Sequence, residues 1–185
     1  MSQRSLIVSA IVVNVVVAAV SFLLFGWNGI GAHVAARWTA RFSVLIFIVA
    51  FAQPGLARFI ASVPSYATLF HTFVAAHCVH FAAVLIVLFL DSGNHFRKSP
   101  GAATATIVVG FSLVIASGIT AGLRASPMYR AIHAFTAYFL FAIFMLAFGR
   151  HHFVPLRALA VLLVVALVLR ITGVLQGARS TAVGA

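Results

Sequence analysis

Residues 67–90 read ATLFHTFVAAHCVHFAAVLIVLFL, an apolar run that contains no Asp, Glu, Lys or Arg. Wound as a helix at 1.5 Å per residue, a run of this length crosses the roughly 30 Å hydrocarbon core of a bilayer. Comparable runs lie on either side of it, at residues 6–25, 42–60, 102–123, 131–148 and 154–174, separated by short segments rich in Gly, Pro, Ser, Arg and His. The pattern predicts an all-α protein: an integral membrane bundle of six transmembrane helices forming one domain over residues 1–185.

Composition agrees. The 185 residues are 64% hydrophobic and 7% charged, far from the roughly one-quarter charged residues of a soluble domain. The net charge of +11 comes from 12 Lys and Arg against one acid. Those cations are scattered singly between apolar runs, which predicts anchors at the membrane edge and a lipid bilayer as partner, not nucleic acid. Because Asp91 is the only acid, two-carboxylate catalysis, acidic metal cages and carboxylate proton relays have no residues to be built from. The single Cys78 excludes an internal disulfide and a CxxC motif.

Local features refine the spans. The first run follows a lone basic residue, as a signal peptide would, but its length and the lack of a small-x-small site directly after it predict a retained helix. Gln53 and Pro54 fall inside the second run, where proline removes a backbone donor and predicts a kink or an early end. Gly118 and Gly122, four residues apart in the fourth run, allow close approach of another helix. The Lys and Arg of alternate loops give no orientation. Arg4, Arg58, Arg124, Arg130, Arg170 and Arg179 on one side balance Arg37, Arg41, Arg97, Lys98, Arg150 and Arg157 on the other.

The eight histidines are the residues that ask for chemistry, since an ionisable group at membrane depth is costly unless it is paired or coordinated. His33, His95, His151 and His152 fall in connecting segments or at span ends. His77 and His80 lie in the middle of the third run, His71 near its start, and His133 in the first turns of the fifth. A b-type haem in a bundle takes one histidine from each of two helices, and the third and fifth spans run in the same direction. His77 and His80, three residues apart, share one helix face and are alternative ligands there. His71 points roughly away from His80. Two other readings stay open: hydrogen bonds from these histidines to backbone or to Ser and Thr of neighbouring helices, and a bare metal with Cys78 as soft ligand, although Cys78 points away from their face. Phe73, Phe81, Phe135 and Phe139 are placed either to wall a porphyrin or simply to pack.

Local patterns resemble the ferric-reductase-like transmembrane domain family, six-helix haem proteins that include ferric reductases, NADPH oxidases and the haem-binding membrane subunit of the methionine sulfoxide reductase system. Thr39-Ala40-Arg41 with Gln53-Pro54-Gly55-Leu56-Ala57-Arg58 is similar to the family's "TGR … TPLxR" span. Leu69 to His80 is similar to its third helix, and Tyr129-Arg130-Ala131-Ile132-His133 followed by Tyr138 to "WxxLHxLxY". The match runs from about Arg37 to Phe148. It implies an iron-binding electron-transport subunit of an oxidoreductase, in a bacterial inner (cell) membrane. One haem b is then held by His80 and His133, with His77 as the alternate ligand and Arg130 or Arg41 as a propionate partner or a snorkelling anchor.

The departures also count. Two-haem members carry a further histidine along each helix, where this chain has Leu146 and Ala147 on the fifth and Tyr66 and Asn94 about the third. If the missing fifth-helix histidine is the one that faces His80, haem is held by one axial ligand or not at all. No glycine-rich phosphate fingerprint is present, so electrons are expected from quinol or a separate flavoprotein. Two alternatives accompany this reading: a haem-free protein of the same fold acting as sensor, assembly subunit or channel, and a quinone-reactive oxidoreductase using Gln53, His71 and Thr72.

Overall fold

The computed structural model describes residues 2–91, 100–123, 125–149 and 154–183, with side chains omitted at 100–106, 154–156 and 177–183. His95, His151 and His152 lie outside the described residues. Among the described residues there are six helices: α1 (Gln3–Phe25), α2 (Gly29–Leu56), α3 (Tyr66–Leu90), α4 (Pro100–Gly122), α5 (Pro127–Gly149) and α6 (Val154–Val183). Five of them are long and apolar enough to cross a membrane, and Ile107–Gly122 of α4 is a shorter apolar stretch. The protein is a multi-pass integral membrane bundle.

Helix starts follow the sequence chemistry. Ser2, Asn28 and Ser65 each offer a side-chain oxygen to backbone N–H groups of the first turn, satisfying donors that have no intrahelical acceptor. Pro100 and Pro127 open α4 and α5, where a missing N–H costs nothing. Gly26 turns the chain between α1 and α2 at φ 82°, a conformation a side chain disfavours.

The second helix departs most from the sequence reading. It begins at Gly29, well before residue 42, because Asn28 caps it with bonds of 2.9 and 3.1 Å to the N–H of Ile30 and Gly31. Arg37 and Trp38 are exposed on its side, and the Arg41 guanidinium lies 4.5 Å above the Trp38 ring. Pro54 sits in the last turn, and the helix runs two residues past it to Leu56.

Packing closes α2, α3, α4, α5 and α6 into a ring, with α6 returning to α2 and α1 lying outside against α2 and α3. Its centre is aromatic. Phe47, Phe51, Phe70 and Phe73 have no exposed surface, and Phe47 and Phe144 meet edge to face with centroids 5.0 Å apart. The outer faces are apolar as well, as at Val8, Val12, Leu23, Val161 and Val168, whereas Asn14, Ser43, His77, Ser117, His133 and Arg170 are buried. This is the inverse of a soluble protein, and it is what a hydrocarbon solvent selects.

Glycines set the closest approaches. A Cβ on Gly55 would overlap the Leu169 carbonyl, and one on Gly173 would stand 2.5 Å from the Pro54 carbonyl, so α2 and α6 cross backbone to backbone. Gly118 plays the part its spacing predicts: a Cβ there would lie 2.8 Å from Val74 on α3.

Candidate functional site: a histidine pair and a buried arginine chain

Two polar clusters occupy the ring. The first is the histidine pair of α3, whose imidazoles lie with centroids 4.9 Å apart. Nδ1 of His77 is 2.7 Å from Ser43 Oγ, and Nδ1 of His80 is 3.3 Å from Thr39 Oγ1, both on α2. Each hydroxyl has one proton, and both protons are already directed elsewhere: Ser43 donates to Ala40 C=O at 2.9 Å and Thr39 to Ala35 C=O at 2.8 Å. The hydroxyl oxygens can then accept from the imidazoles, and in that tautomer each histidine carries its proton on Nδ1. In that tautomer each Nε2 presents a lone pair, while the Ala36 backbone also lies within hydrogen-bonding reach of the His80 ring. His77 is buried, with Phe73, Phe81 and Phe144 around it at 5.2, 5.1 and 5.9 Å. His80 is half-buried. An imidazole fixed at Nδ1 by a neighbour, with Nε2 open, is the arrangement found for metal-ligating histidines.

The second cluster centres on Tyr66, the first residue of α3. His133 is 2% exposed. Its Nδ1 lies 3.1 Å from both Ser117 C=O and Thr120 Oγ1, and the Thr120 proton is directed to Ala116 C=O at 2.6 Å. Nδ1 therefore donates and Nε2 accepts, so the Tyr66 hydroxyl, 2.7 Å away, donates to Nε2. Tyr66 Oη in turn accepts from Arg170 Nη1 at 2.9 Å. The same guanidinium donates to Phe51 C=O at 3.2 Å and through Nε to Tyr138 Oη at 3.3 Å. Its carbon stands 4.5 Å from the Phe51 ring, 5.1 Å from Tyr138 and 5.4 Å from Tyr66. The result is one directed chain from arginine through phenol to imidazole.

Arg170 corrects the sequence reading, which placed it with the edge anchors: it is 6% exposed. Burying a charge costs several kcal/mol even after relaxation. Hydrogen bonds to a charged group return about 1.5–3 kcal/mol each, and a desolvated cation–π contact about 2 kcal/mol, so three of each are of the size needed. None of them supplies negative charge. Asp91, the chain's one acid, ends α3 beside His33 at 2.7 Å, some 25 residues or about 37 Å along the axis from Tyr66. The missed signal was a tyrosine and an arginine inside apolar spans, Tyr138 and Arg170, with a second tyrosine, Tyr66, at the edge of another.

The two clusters sit at different depths. Phe70 touches the His133 ring at 4.8 Å, and His80 lies ten residues, about 15 Å, further along α3. Phe47, Phe73 and Phe144 fill the space between. The structure thus does not bring His80 and His133 together, both nitrogens of His133 are committed, and the α5 residue against His77 is Phe144. A haem held by histidines of α3 and α5 does not fit this donor set, and His77 and His80 are the remaining residues that could hold an iron. Among the described residues no group of three or more His, Cys, Asp or Glu is poised around a metal.

The remaining candidates disperse. Arg41 stacks on Trp38, and exposed Arg130 donates to Ala125 C=O at 3.2 Å. Gln3 donates to His71 Nδ1 at 3.1 Å if that nitrogen is the unprotonated one, Gln53 donates to Pro64 C=O at 3.4 Å, and Thr72 to Thr68 C=O at 2.8 Å. Thr72 also lines an apolar cleft of about 340 Å³ between α1, α2 and α3, with Leu6, Ala10, Phe42 and Leu69. Cys78 is a free, half-buried thiol. No protein-family model matches the sequence, and neither a curated protein nor a solved structure matches it.

Proposed function

We propose that the protein is a membrane electron-transfer subunit that takes a haem b iron through Nε2 of a single histidine of α3, His80 first and His77 as the alternate. One observation carries this reading: the Ser43 and Thr39 hydroxyls stand 2.7 and 3.3 Å from Nδ1 of the two imidazoles, and the tautomer in which they accept leaves both Nε2 atoms open. The haem would supply one-electron exchange. The chain's own residues would orient the ligand through the two hydroxyls and exclude water with Phe73, Phe81 and Phe144. A quinol or a separate flavoprotein would supply electrons, in the bacterial cell membrane that the family resemblance implies.

The deciding measurement is the visible spectrum, oxidised and dithionite-reduced, of detergent-purified protein expressed with ample haem. The expected result is a b-type haem spectrum that His80→Ala or the His77→Ala/His80→Ala pair abolishes and His133→Ala keeps. A spectrum lost in His133→Ala and kept in the double variant would overturn the assignment of the ligand.

The commitment of both His133 nitrogens favours a second reading, a haem-free bundle acting as sensor, assembly subunit or channel. Protein that binds no haem under these conditions would establish it in place of the first.

A further inference from the structure

We infer that Arg170 is an anion site that receives a phosphate group at the end of the bundle where α3 and α5 begin. Three of its five N–H groups have acceptors within the protein: Nε on Tyr138, and Nη1 on Phe51 C=O and Tyr66. No acceptor for Nη2 is found among the described residues, although the side chain is only 6% exposed. Every partner of the guanidinium is neutral, so the cage solvates the charge without balancing it.

The surroundings repeat the demand. Arg58, just beyond α2, is exposed at the same end, and the only acid in the sequence is at the opposite end of α3. A phosphate oxygen can accept from Nη2, and the group supplies the missing charge. The group comes either from an anionic phospholipid of the bilayer edge or from free phosphate, and the site asks the same chemistry of both. This inference stands independently of haem binding.

The test measures the thermal midpoint and ligand affinity of the full chain in neutral, phosphate-free detergent. Phosphatidylglycerol, phosphatidylcholine and inorganic phosphate are added separately at matched ionic strength to wild type, Arg170→Lys and Arg170→Gln. The expected result is a rise with phosphatidylglycerol in wild type that is absent in Arg170→Gln. Affinity should weaken by about tenfold or more in Arg170→Lys, the equivalent of one charge-assisted hydrogen bond. A rise with inorganic phosphate that also depends on Arg170 supports the site and assigns it to the free anion. Equal rises in wild type and Arg170→Gln, or no rise in wild type with either phosphate source, overturn it. If Arg170→Gln does not fold, an unchanged affinity in Arg170→Lys overturns it.

Discussion

Tyr66 Oη stands 2.7 Å from His133 Nε2 and 2.9 Å from Arg170 Nη1, so a single phenol on α3 joins α5 to α6. Its proton has one direction to take, toward His133. Tyr66→Phe removes the donor from one buried group and the acceptor from another. The expected loss is about 1–3 kcal/mol, the cost of leaving buried polar groups unpaired, read as a lower unfolding midpoint in detergent. Tyr138→Phe, which removes only a 3.3 Å bond, should cost less. Equal effects of the two would mean that the chain through His133 adds nothing.

The hydroxyls of α2 face Nδ1 of both imidazoles of the histidine pair, and the proposed site takes them as acceptors. In Ser43→Ala the His77 Nδ1–H loses its 2.7 Å acceptor inside the bundle. The proton is expected to redistribute to Nε2, a change visible in the ¹⁵N shifts of the labelled imidazole. Metal or haem affinity at that residue should fall about 10–100-fold, the usual effect of removing such an orienting group. Thr39→Val acts on His80 through a longer, 3.3 Å contact and should do less. An unaltered His77 spectrum in Ser43→Ala would contradict the tautomer assignment.

The α2–α6 crossing tolerates no side chain at Gly55. Gly55→Ala forces the added methyl into the Leu169 carbonyl, an overpacking expected to cost about 1–3 kcal/mol or more. Gly110→Ala serves as the control, since its methyl would meet only the Phe81 ring, 3.7 Å away. Circular dichroism melts of the two variants should separate clearly, the first low and the second near wild type.

His33 and Asp91 tie the start of α2 to the end of α3 at 2.7 Å, with side chains 40% and 27% exposed. Pairs this accessible contribute about 0–1 kcal/mol. Asp91→Asn should therefore shift the melting midpoint only slightly, and less than Tyr66→Phe.

The helices were legible because hydrocarbon imposes a length: the apolar run at 67–90 became α3, Tyr66–Leu90, almost residue for residue. The start of α2 was not, because Arg37 and Arg41 broke the hydropathy pattern on a face that turns outward, while the decisive cue was the small capping side chain of Asn28. The His77–His80 pairing could be read from spacing along one helix. What spacing cannot give is depth between helices, and that separates His133 from His80 by about three turns, roughly 15 Å along the axis. Arg170 was hidden for a related reason. A cation near the end of a span reads as an edge anchor until the tyrosines that surround it, contributed by α3 and α5, are placed in space.

The glycine crossing also imposes an order of assembly. Pro54 and Gly55 meet Leu169 and Gly173, so the ring stays open until the last of its helices has been synthesised and delivered to the bilayer. During that interval Tyr66 and the Phe51 carbonyl wait without their cation, and α6 must enter the lipid carrying an arginine near the end of its span. The acceptors already standing in α2, α3 and α5 give that residue its destination, and locking it there is the step that turns five inserted helices into a closed protein.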